Sequence, residues 1–149
     1  MTSKADFTDE EWTTVLQGPP SAGRMVVTAQ RGGSFRETIA MAKSYTEARK
    51  QHGDSELLDE IVSAKPEMDH TRYHSPEELK EATLAHLRDA VALLKEKATP
   101  EEVDEYKKFI VALANRVAEA RKEGFMGLSG ERVSDAERSA IGEIEGALG

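Results

Sequence analysis

The sequence predicts an all-α fold, a single-domain bundle of about six to seven helices in a chain of 149 residues. Explicit helix starts recur along the chain, and the apolar residues between them step by three and four. No segment alternates apolar and polar residues long enough to form a strand. The length suits one domain with a core of its own, without metal or disulfide support.

A first helix is expected over residues 8–17. Thr8-Asp9-Glu10-Glu11 is a capping box, in which the threonine hydroxyl accepts from an orphan amide and the glutamate reaches back to the cap. Trp12, Val15 and Leu16 give its apolar face, and Gly18-Pro19-Pro20 reads as its end, because proline removes amide donors and crowds the preceding turn. A second helix over 20–31 follows, with Ala22, Met25, Val26 and Ala29 on one face, and stops at Gly32-Gly33.

Ser34-Phe35-Arg36-Glu37 opens a third helix over 34–51, whose face is Phe35, Ile39, Ala42, Tyr45 and Ala48. Leu57, Leu58, Ile61 and Val62 define a fourth over 54–64, ending before Pro66, and residues 65–74 read as a linker. Ser75-Pro76-Glu77-Glu78 and Thr99-Pro100-Glu101-Glu102 then start helices over 75–97 and 99–122, each with proline at the first helical position. Leu84, Leu87, Val91 and Leu94 face Val103, Tyr106, Ile110, Leu113, Val117 and Ala120, so the two are expected to pack as an antiparallel hairpin forming the spine of the core. Ser134-Asp135-Ala136-Glu137 opens the last helix, over 134–148.

Sliding the chain by about ninety residues aligns Thr8–Glu11 with Thr99–Glu102, Val26 with Val117, Ala29 with Ala120 and Gly33 with Gly124. After a gap, Ser34, Glu37 and Ala40 match Ser134, Glu137 and Ala140. Internal duplication of a helical unit explains this alignment, and so does the residue economy shared by any two capped amphipathic helices.

Composition narrows the function. A net charge of −8 and a pI near 5.1 disfavour nucleic acid and anionic membranes as partners. The basic pairs Arg49-Lys50, Lys107-Lys108 and Arg121-Lys122 sit near acids at helical spacing, the pattern of a solvated face. Without cysteine there is no disulfide framework or thiolate chemistry, and no apolar run reaches the length of a membrane span. These features point to the cytoplasm.

Most acidic clusters fall in first helical turns, where the caps and the positive end of the helix dipole account for them. Glu67-Met68-Asp69-His70 contains the Glu-x-x-His spacing of di-iron bundles, and His74 lies one helical turn beyond. Glu67, Asp69, His70 and His74 are therefore the candidate metal ligands, a polar surface loop being the alternative. His86, on the flank of an apolar face, reads as a satisfied and partly buried residue. No cofactor motif is present: Gly32-Gly33-Ser34 lacks the phosphate-loop pattern, and Leu128-Ser129-Gly130 lacks a nucleophile turn. Between Gly124 and Gly130, Phe125, Met126 and Leu128 either close the end of the core or meet a partner.

Ala29-Gln30-Arg31-Gly32-Gly33-Ser34-Phe35-Arg36-Glu37 and Val133-Ser134-Asp135-Ala136-Glu137 loosely resemble the tellurite-resistance TerB-like domains. The resemblance implies an all-helical bacterial domain of stress- or envelope-associated complexes, acting by binding rather than turnover. Where that family carries a metal-associated acid before the turn glycine, this chain has Arg31 at the first stretch and Lys122-Glu123 at the second. The leading expectation is a non-catalytic protein-interaction module, self-association included, since an apolar stripe also suits a dimer seam. Its rivals are a metal-binding helical protein and a small enzyme whose site gathers His86, Tyr106 or a carboxylate from distant positions.

Overall fold

The computed structural model describes residues 4–29, 35–50, 56–64, 73–124 and 135–149. They form α1 (Asp9–Ala29), α2 (Phe35–Lys50), α3 (Glu56–Ser63), α4 (Pro76–Lys97), α5 (Pro100–Gly124) and α6 (Asp135–Leu148), after a short 3-10 turn at Lys4–Asp6. No strand occurs among the described residues. The six helices pack around one core as a single all-α domain.

The capping boxes form as the residues demand. Thr8 N–H donates to Glu11 Oε1 at 2.8 Å, and Glu11 N–H donates back to Thr8 Oγ1 at 3.2 Å. Thr99 and Glu102 repeat the exchange at 3.0 and 3.2 Å. At α4, Glu78 N–H donates to Ser75 Oγ at 3.1 Å, while the Glu78 carboxylate accepts from His74 N–H, one residue before the cap. Each reciprocal pair satisfies amides that a helix start would otherwise leave open. The caps expected at Ser34 and Ser134 lie outside the described residues, and with them the first of the three matches that follow the gap in the ninety-residue alignment.

Gly18-Pro19-Pro20 does not end a helix. The described residues of the two helices expected over 8–17 and 20–31 belong, from residue 9 to residue 29, to one helix, α1, which runs through both prolines. The reason is tertiary: Gly18, Pro19, Pro20 and their neighbours to Gly23 are buried, so packing against other helices outweighs the local penalty of about 3 kcal/mol for an interior proline.

The expected α4–α5 hairpin is also corrected. The short turn at Ala98-Thr99 is present, but α4 and α5 meet over a short stretch only, and α1 packs broadly against both. α1 runs antiparallel to α4, with Glu11 beside Lys97 and Thr14 beside His86, and parallel to α5, with Val15 beside Tyr106 and Gly23 beside Leu113. α2 covers the other side of α5, α3 packs on α2 and α5, and α6 closes against α1, α4 and α5. Lys80 Nζ and Glu143 Oε1 tie α4 to α6 at 2.9 Å.

The stripe on α5 is buried as its spacing predicts, at Val103, Tyr106, Ile110, Leu113 and Val117. On α2 the face is turned: Ile39 and Ala42 are exposed, and Ala40, Ser44 and Tyr45 are buried. Ser44 is accommodated because its hydroxyl donates to the Ala40 carbonyl at 3.2 Å, one turn back. No described helix is long and apolar enough to cross a membrane.

Candidate functional site

Pro19 has no N–H, so the Val15 carbonyl loses the donor that a regular helix would supply four residues later. Tyr106 Oη donates to that carbonyl at 2.7 Å from α5. One residue earlier, the Thr14 carbonyl lies 2.9 Å from His86 Nε2 on α4. A carbonyl can only accept, so Nε2 is the nitrogen that carries the hydrogen. His86 and Tyr106, named above among the residues a rival enzyme site would gather, are thus each engaged by a backbone oxygen of α1.

Gly18 is shaped by the same contact. A Cβ at this position would sit 2.1 Å from Tyr106 Oη and 3.2 Å from its ring carbon Cζ, so only glycine lets the phenol reach the Val15 oxygen undisturbed. Gly23 makes comparable room further along α1, where a Cβ would meet the Met41 methyl at 2.4 Å and Leu113 at 3.0 Å. Burial pushes the Tyr106 hydroxyl far above the ordinary phenol range, and nearby Tyr45 adds to the shift. Tyr106 therefore stays protonated and acts as a donor.

Tyr45 is nearly as deep, 2% exposed, and stands edge-on to Phe109 with ring centroids 5.2 Å apart. Burial raises its pKa as well, partly offset by Arg49, and its hydroxyl has no hydrogen-bond partner among the described residues.

On the opposite side of α5, helices α2, α3 and α5 enclose an open cleft of about 280 Å³. Ala48, Leu58, Phe109 and Leu113 supply an apolar floor, and Glu47, Asp59, Glu105, Lys108 and Arg116 supply a charged rim. Glu47 and Arg116 are ion-paired across it, joining α2 to α5. The hydrogen bond to Arg116 holds the Glu47 carboxyl below its ordinary range, and the same bond raises the Arg116 guanidinium. Lys108 and Glu105 sit 4.0 Å apart on the α5 wall, three residues from each other. A rim of paired charges around an apolar floor suits the burial of a side chain from outside better than proton transfer.

The metal candidates fare differently. His74 is exposed, just before the Ser75 cap, and Glu67, Asp69 and His70 lie outside the described residues. Among the described residues, no three His, Asp or Glu side chains gather closely enough to hold a metal ion. Phe125, Met126 and Leu128 also lie outside the described residues, as do residues 30–34, 133 and 134 of the two stretches that carry the TerB-like resemblance. The cleft itself had no signature in the sequence. Its walls come from three helices, and Glu47 and Arg116 are 69 positions apart, beyond any local spacing rule.

Comparison with family models, curated proteins and solved structures finds no match to this chain.

Proposed function

We propose that this chain is a non-catalytic helical interaction module whose binding face is the cleft between α2, α3 and α5. The observation that carries the reading is the arrangement of that cleft: half-buried Ala48 and Leu58 beside buried Phe109 and Leu113, framed by Glu47–Arg116 and Glu105–Lys108. A groove of this make-up accepts an apolar ridge of a protein partner, while the charged rim fixes its orientation. The engagement of His86 and Tyr106 by α1 supports the same reading, because both side chains already have a structural task.

Substitution inside and outside the cleft tests it. Ala112 is exposed and lines the cleft, whereas Ala85 is exposed on α4. Ala112→Arg should abolish capture of a cellular protein that the unchanged chain and Ala85→Arg both retain. Equal capture by all three, with light scattering showing the same mass throughout, would overturn the proposal.

A further inference from the structure

We draw no further inference here: the strongest candidate, the occupant of the cleft between α2, α3 and α5, carries nothing beyond the site already described, because Glu47 pairs with Arg116 and Glu105 with Lys108 and nothing in the structure shows what covers it.

Discussion

Tyr106 Oη and the Val15 carbonyl oxygen lie 2.7 Å apart, and this bond from α5 replaces the helical donor that Pro19 removes from α1. It explains how a Gly-Pro-Pro sequence can sit inside a buried helix. It also gives the two deepest phenols of the core opposite energetic roles.

Tyr106→Phe leaves a buried carbonyl without its partner, a loss of about 1–3 kcal/mol in unfolding free energy. Tyr45→Phe removes a buried hydroxyl that has no partner among the described residues, and should leave stability unchanged or raise it by up to about 1 kcal/mol. Urea denaturation of the two variants side by side checks the contrast.

Acid should weaken the junction of α1 and α4. Lys97 Nζ donates to Glu11 Oε1 at 2.8 Å, and this bond, with the Thr8 amide, lowers the Glu11 pKa from its ordinary value of 4.5. The unfolded chain therefore binds the proton more readily than the folded one. The contribution is fully present above pH 4.5 and is lost as the pH falls through the folded-state value. Glu11→Gln should flatten the decline in melting temperature over that acid range while leaving a lower plateau at neutral pH.

Gly142 and Gly146 lie on the exposed face of α6, and a Cβ at either would meet nothing within 4 Å. Glycine inside a helix costs roughly 0.5–1 kcal/mol relative to alanine, so Gly142→Ala and Gly146→Ala should each stabilise the fold by about that amount. Thermal melts of the single variants and the pair test this, and the gains should add.

Much of this architecture is legible in the residues because it is local. The boxes at Thr8–Glu11 and Thr99–Glu102 and the stripe from Val103 to Val117 are set by neighbours a few positions away. Gly18-Pro19-Pro20 misleads for the converse reason: the donor that compensates Pro19 is 91 positions along the chain from the carbonyl it serves. The same limit applies to α2, where Ile39 and Ala42 have helical spacing with Tyr45, yet docking against α5 turns them to solvent. His86 and Tyr106 stand out in the sequence as residues with polar chemistry on or beside an apolar face. What they bond to, two backbone carbonyls of α1, depends on a helix that local rules divide in two.

The most direct test of the bracing of α1 by α5 is a double-mutant cycle between Gly18 and Tyr106. Gly18→Ala forces a Cβ against the phenol oxygen and should cost about 1–3 kcal/mol, in spite of alanine's better helix propensity. In a Tyr106→Phe background that oxygen is gone, and the same substitution should cost at least about 1 kcal/mol less. Additivity within about 0.5 kcal/mol would contradict the claim that Gly18 is kept small so that Tyr106 can brace α1.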